Sequence, residues 1–130
     1  MSTPWVKKSL IMSKYRNTRP LIGGIRWASK AEAAYYFKYL LPLETSGEIS
    51  ELKLQPRLPI IVNEQKICHY VADFSHITDK KMVITEVKGF KTDLYKLKIK
   101  LAKALYPEYE FNIVESKTLR KDIKELEIEE

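Results

Sequence analysis

The sequence predicts an α/β fold, a mixed four-stranded β-sheet flanked by α-helices. Three strand-like segments between Ile49 and Val87 follow one another through short turns, as in an antiparallel meander. A helix and a fourth strand come next, and strand–helix–strand after a meander makes the sheet mixed. A helix with its own start signal precedes the first strand.

Each element has a local cause. Residues 1–28 are polar and basic, with Pro4, Pro20 and the pair Gly23-Gly24, and read as a basic arm. Ser29-Lys30-Ala31-Glu32 has the form of a capping box, with Ser29 as N-cap and Glu32 reaching back. Ala33, Phe37, Leu40 and Leu41 follow at helical spacing. Pro42 is expected to kink or end this helix, and Ser46-Gly47 to close it. From Ile49 to about Val62 alternation and β-branching indicate a strand, which Pro56 and Pro59 restrict to an edge or bent position. Asn63 to Lys66 is a turn, Ile67 to Ile77 a second strand, Asp79-Lys80 another turn, and Met82 to Val87 a third strand. Thr92 or Asp93 caps a helix to about Leu105, in which Leu94, Leu97, Leu101 and Leu105 are the expected buried stripe. Pro107 stops it. Tyr109 to Val114 is a fourth strand and Leu119 to Ile128 a charged terminal helix. The expected division is an arm at 1–28, a core at 29–115 and a charged C-terminal helical segment at 116–130.

The chain has 130 residues, 45% hydrophobic and 31% charged, which fits one globular domain of ordinary size. A chain this long buries roughly two-thirds of its unfolded surface, enough for a core without covalent staples. Cys68 is the single cysteine, which excludes an intrachain disulfide, a four-cysteine zinc site and an iron–sulfur cluster. No apolar run approaches the roughly 20 residues that span a bilayer, and the start lacks a signal-peptide core. The expected setting is a reducing cytoplasm, with no membrane partner.

Charge is unevenly placed. The net charge is +6. Residues 1–31 carry seven bases and no acid, residues 87–106 six lysines against Asp93, and residues 107–130 eight acids against four bases. Two basic blocks and an acidic tail indicate a polyanion-facing surface, with DNA the leading partner; solubilising charge is the plainer alternative. Candidate DNA contacts are Lys14, Arg16 and Arg19 in the first block and Lys91, Tyr95 and Lys98 in the second. Tyr95 and Lys98 share a helix face, which either meets phosphate or is simply a basic surface over a half-buried tyrosine.

The chemistry-bearing stretch is Tyr70-Val71-Ala72-Asp73-Phe74, then Glu86-Val87-Lys88-Gly89. Strand alternation puts Glu86 and Lys88 on one side and Val87 toward the core. If the strands holding Asp73 and Glu86 are antiparallel neighbours, both carboxylates share a face. Acids packed together with a lysine fit a divalent ion, since Mg²⁺ takes one or two carboxylates and fills its shell with water and substrate phosphate. The alternative is surface charge with Lys88 as cross-strand partner. For Glu32 the capping box alone is a sufficient explanation. Gln55 is either site-adjacent or an exposed strand residue, and Thr92, at the helix start, either meets phosphate near the site with Tyr95 and Lys98 or belongs to a plain basic helix surface. The spacing of His69 and His76 fits no usual metal pair, so both are expected to be satisfied strand histidines. Tyr35, Tyr36 and Tyr39 are expected to pack the first helix.

This arrangement resembles the PD-(D/E)XK nuclease superfamily: Asp73, then Glu86-x-Lys88, with Glu32 matching the additional acid many members place before the sheet. The chain is also similar to a family of small phage-encoded members of unassigned role. The shared features are Lys14 to Asn17, Ser29 to Ala33, Leu54 to Pro56, Tyr70 to Phe74 and Glu86 to Lys98, spanning roughly residues 14–115. Ala72 stands where the superfamily's nominal motif has proline. The resemblance implies a restriction-endonuclease-like core and Mg²⁺-dependent phosphodiester hydrolysis, with Mn²⁺ able to substitute. It implies that Asp73, Glu86 and the Val87 carbonyl hold the metal and that Lys88 serves the attacking water or the transition state. Glu32 then reaches the metal through a water or holds a second ion. By analogy with small resolvases, the implied activity is endonucleolytic cleavage of branched DNA, of Holliday-junction type, in phage recombination or replication. Symmetric cutting implies a homodimer. The alternatives are a nicking or degradative nuclease on unbranched DNA, an RNA-directed nuclease, and a non-catalytic DNA-binding accessory protein with a vestigial site.

Overall fold

A computed structural model describes residues 19–126. Lys14 and Arg16, the Lys14–Asn17 motif and residues 127–128 of the expected terminal helix lie outside the described residues.

The segment read as the end of an arm is part of the core. Strands β1 (Leu21–Ile22) and β2 (Ile25–Arg26) form a hairpin. Gly23 and Gly24 turn it at φ +61° and +79°, the left-handed conformation that two-residue hairpin loops need. Ile22 and Trp27 are buried, and the Trp27 indole donates to the Ile22 carbonyl at 3.1 Å. Apolar contact with a later helix, which local sequence does not show, turns this stretch inward.

Helix α1 (Lys30–Tyr35) starts at Ser29, whose Oγ accepts from the Glu32 backbone N–H at 3.1 Å. The helix does not end at Pro42. A π-helical turn (Tyr36–Leu40) carries it into α2 (Leu41–Ser46), and the Leu41 N–H reaches back to Tyr36 O. Proline has no N–H to give, and here it sits in the first turn of α2 after the wider turn. Gly47 caps α2 in the left-handed conformation, φ +84°.

The two long strands expected at 49–62 and 67–77 are one bent hairpin. Strands β3 (Ser50–Leu54) and β6 (Phe74–Thr78) pair at its base. Strands β4 (Arg57–Val62) and β5 (Gln65–Val71) pair at its tip, turned by Asn63-Glu64. The bend falls at Gln55-Pro56 and Ala72-Asp73, clamped by Gln55 N to Asp73 O and Ala72 N to Pro56 O. Strand β6 continues antiparallel to β7 (Lys81–Lys88), and β7 pairs in parallel with β8 (Glu110–Glu115). The order β3-β6-β7-β8 gives the mixed four-stranded sheet.

Both faces of β7 are covered. On one side Trp27, Leu40, Phe74, Val87 and Leu119 pack together with the first helical layer. On the other, Leu58, Ile60, Tyr70 and Ile84 meet Ile99 and Ala102 of α3 (Asp93–Leu105). The stripe expected in α3 is corrected here. Leu94, Leu97 and Leu105 are exposed, Leu101 is half-buried, and the inward residues are Tyr95, Ile99 and Ala102. Two apolar stripes run along this helix, and the sheet selects the one through Tyr95, Ile99 and Ala102.

A 3₁₀ turn (Ser116–Leu119) leads into α4 (Arg120–Lys124). The acidic tail is tied to the chain's own first helix: Lys38 pairs with Glu125 at 2.7 Å, and the Tyr39 hydroxyl donates to Asp122 at 2.8 Å. Tyr35 and Tyr36 pack against the core around Trp27 and Phe74, as expected.

Candidate active site

The bend in the hairpin makes the site. Where β5 swings away from β7, the Val87 N–H loses a strand partner, and the Asp73 carboxylate takes its place, Oδ2 accepting at 2.7 Å. Asp73 N bonds Thr85 O, which anchors the backbone beside β7. An acid at this one position thus completes the ladder through its side chain.

Glu86 and Lys88 project from β7 on the same side, as alternation requires. Glu86 is 5% exposed, an unusual burial for a carboxylate. Its Oε1 accepts from the Tyr70 hydroxyl at 2.7 Å. The Lys88 ammonium lies 4.7 Å from the Tyr95 ring centroid, a cation–π contact. Tyr95 therefore holds Lys88 from below. Both tyrosines help build the site. Tyr70 stood in the quoted motif without a role, and its role needed the distance between β5 and β7.

Glu32 arrives from α1, on the other side of the sheet's end. Burial, the charge of Asp73 and a hydrogen bond to Asp73 push its carboxyl up to about 7, against smaller opposing effects of Ser29 and Arg19. Burial and the Asp73 charge likewise push Glu86 up to about 8. Burial raises Asp73 too, opposed first by the Val87 N–H. Glu32 is thus both a first-turn residue at the Ser29 cap and the third acid of the cluster. Burial and Glu86 raise Tyr95 to about 12, burial contributing more.

The surroundings differ on the two sides. A depression of about 170 Å³ on the Glu32 side is lined by Arg19, Arg26, Gln55 and Asp73, among others. One of about 240 Å³ on the other side is lined by Glu86, Lys88, Thr92, Tyr95 and Lys98. Gln55 adopts φ +51° at the bend, and Thr92 Oγ1 caps α3 by accepting from Tyr95 N at 3.1 Å. Lys91 pairs with Glu115 at 2.7 Å, and both side chains stay partly exposed. His69 lies within 3.5 Å of Arg57. His76 is not satisfied as expected, because its Nδ1 is buried without a hydrogen-bond partner among the described residues. Burial also lowers its pKa.

The three acids suit a divalent cation chemically. Burial raises all three pKa values and Asp73 raises those of Glu32 and Glu86 further, so the cluster holds protons that a cation can replace. No trio of described His, Cys, Asp or Glu side chains stands as a preformed metal cage. A Mg²⁺ site requires none, since water and substrate supply much of its shell.

The chain belongs to a family described as a protein of unknown function, DUF1064. The match spans residues 12–121 and so covers every residue of the site. No curated protein matches this DUF1064 chain. Among its described residues no helix is long and apolar enough to cross a membrane.

Proposed function

We propose that this DUF1064 protein is a metal-dependent DNA endonuclease of the PD-(D/E)XK type. The observation that carries the reading is the meeting of three acids, half-buried Glu32 from α1, half-buried Asp73 at the hairpin bend and buried Glu86 from β7, beside Lys88. Asp73, Glu86 and the Val87 carbonyl would hold Mg²⁺ or Mn²⁺. In an extended strand a residue's N–H and C=O face the same edge, and the Val87 N–H faces Asp73. Glu32 would act through a water or a second ion.

The bound cation would ease deprotonation of the attacking water and offset charge developing on the phosphate oxygens. Lys88 donates to that negative charge from a fixed position over Tyr95. Asp73 keeps its orientation through the Val87 N–H, and Glu86 through Tyr70. The basic groups Arg19 and Lys98 flank the acids on opposite sides, which suits a strand of DNA laid across the bend. Branched DNA is the favoured substrate, cut by a homodimer when two symmetric incisions are made.

The test incubates purified protein with four-way-junction, nicked, single-stranded and linear DNA and with looped RNA, with Mg²⁺, Mn²⁺ or EDTA. Metal-dependent cleavage that is lost in Asp73→Ala and Lys88→Met, and fastest on the junction, is the expected result. Equal cleavage of linear duplex assigns a nicking or degradative nuclease instead. Preferential cleavage of RNA moves the substrate class. Binding without cleavage, unchanged in Asp73→Ala, makes the protein a DNA-binding accessory factor and overturns the enzyme reading.

A further inference from the structure

One apolar side chain beside the acids is left in water on a loop that is otherwise held. Phe90 is 82% exposed, whereas Phe37, Phe74 and Phe111 pack against the two cores. It lies two residues past Lys88, in the lead-in from β7 to α3. Its neighbours are tied down. Gly89 approaches the 3₁₀ turn so closely that a Cβ there would lie 2.9 Å from Ser116 Oγ. Lys91 pairs with Glu115, and Thr92 caps α3. Single exposed apolar residues are ordinary, but this one is followed by Leu94 and Leu97, 60% and 56% exposed. Leu94 lines the same depression as Glu86 and Lys88. Two residues of chain reach at most about 7 Å, so the Phe90 backbone stands within about two nucleotide steps of Lys88.

Charge selects the partner for this ridge. Residues 87–106 carry six lysines against Asp93, and among the described residues Lys91 alone of the six is in an ion pair. A second copy docked face to face here would set two lysine blocks against each other. DNA neutralises them and offers flat apolar base faces as well. We propose that Phe90 is a wedge that stacks on a base left unpaired or unstacked at a branch, next to the phosphate the acids would cleave. The inference rests on the nuclease reading above. Apolar wedges enter DNA between base steps at a cost in unstacking, and that cost is least where pairing is already broken. Stacking at Phe90 therefore favours a branch point over continuous duplex, whatever the base.

Four-way-junction and linear duplex DNA, each carrying 2-aminopurine at the branch point or the matching position, are titrated in EDTA with wild type, Phe90→Ala and Phe90→Trp. Cleavage of the same DNA is then timed with Mg²⁺. Wild type is expected to change the fluorescence on the junction and to cut it faster than the duplex. Phe90→Ala is expected to weaken junction binding about 5–100-fold, to lose the fluorescence change and to cut both DNAs at similar rates, with Tm unchanged. Phe90→Trp should restore all three. Junction preference and fluorescence retained in Phe90→Ala overturn the inference alone, as does equal cleavage of both DNAs by wild type. A wild-type dimer that becomes a monomer in Phe90→Ala, read by sedimentation, gives the ridge to a second copy and likewise overturns it. Wild type that cuts no DNA overturns the nuclease reading and the inference with it.

Discussion

Glu86→Gln removes one charge from a cluster that burial and repulsion already strain. Its carboxyl ordinarily ionises at 4.5 and is pushed up to about 8 in the fold. The folded state therefore holds this proton where the unfolded chain has lost it. Between about 4.5 and 8 the native protein binds more protons, and stability falls as pH rises through that window. Each tenfold in ionisation is worth about 1.4 kcal/mol, which puts a ceiling of about 4–5 kcal/mol on the cost of ionised Glu86 above pH 8. The amide oxygen of Gln can still accept from Tyr70, and Glu32 remains beside Asp73, so about 2–3 kcal/mol is the expected gain at pH 8. That corresponds to roughly 5–15 °C in Tm for a chain of this size. Urea and thermal unfolding in EDTA at pH 5 and pH 8 measure it, and most of the gain should vanish at pH 5. A variant no more stable than wild type at pH 8 would refute the reasoning, as would a wild-type stability flat across the window. The same variant is expected to lose metal-dependent cleavage, because the destabilising charge is the one that would hold the ion.

Other outcomes follow from single contacts. Tyr95→Leu removes the ring under Lys88 and is expected to lower kcat roughly 3–30-fold, the equivalent of about 0.7–2 kcal/mol, with Mn²⁺ affinity little changed by electron paramagnetic resonance titration. Gly23→Ala meets φ +61° and a Cβ position 2.3 Å from the Phe37 ring; a loss of about 2–4 kcal/mol in urea unfolding is expected. Leu97→Lys should change stability by less than about 0.5 kcal/mol, whereas Ile99→Ala should cost about 2–4 kcal/mol. The reverse ranking in urea unfolding would restore the leucine stripe to the interior. Lys98→Ala should weaken DNA binding on every sequence and reduce the salt slope by about one, read by fluorescence anisotropy across a salt series.

Much of the local structure was legible because its causes are local. Ser29 capping Glu32, the turn expected at Asn63 to Lys66 and found at Asn63-Glu64, the turn at Asp79-Lys80, and the cap at Thr92, one of the two candidates, each depend on atoms a few residues apart. The alternation that puts Glu86 and Lys88 on one side of β7 is likewise a property of any strand. Asp73, Glu86 and Lys88 could be singled out from residue type and order. By itself the sequence determined the mixed sheet, the turns between its strands and the acids worth watching, while it missed the β1–β2 hairpin and the division of the two long strands into four.

Tertiary structure decided the rest, because those outcomes depend on which surfaces meet. Proline at 56 signalled a bent strand, but only the pairing across the hairpin shows that Asp73 sits at the matching bend and fills the gap left at Val87. Helix α3 carries two apolar stripes, and helical period alone does not choose between them; the sheet takes Tyr95, Ile99 and Ala102. Trp27, within the stretch read as an arm, is central in space. Tyr70 and Glu86 lie sixteen residues apart, yet their 2.7 Å bond fixes how one acid presents itself. Periodicity specifies which way a side chain faces, whereas only packing brings Glu32, from a helix more than forty residues before β7, to the end of the sheet where the other two acids stand.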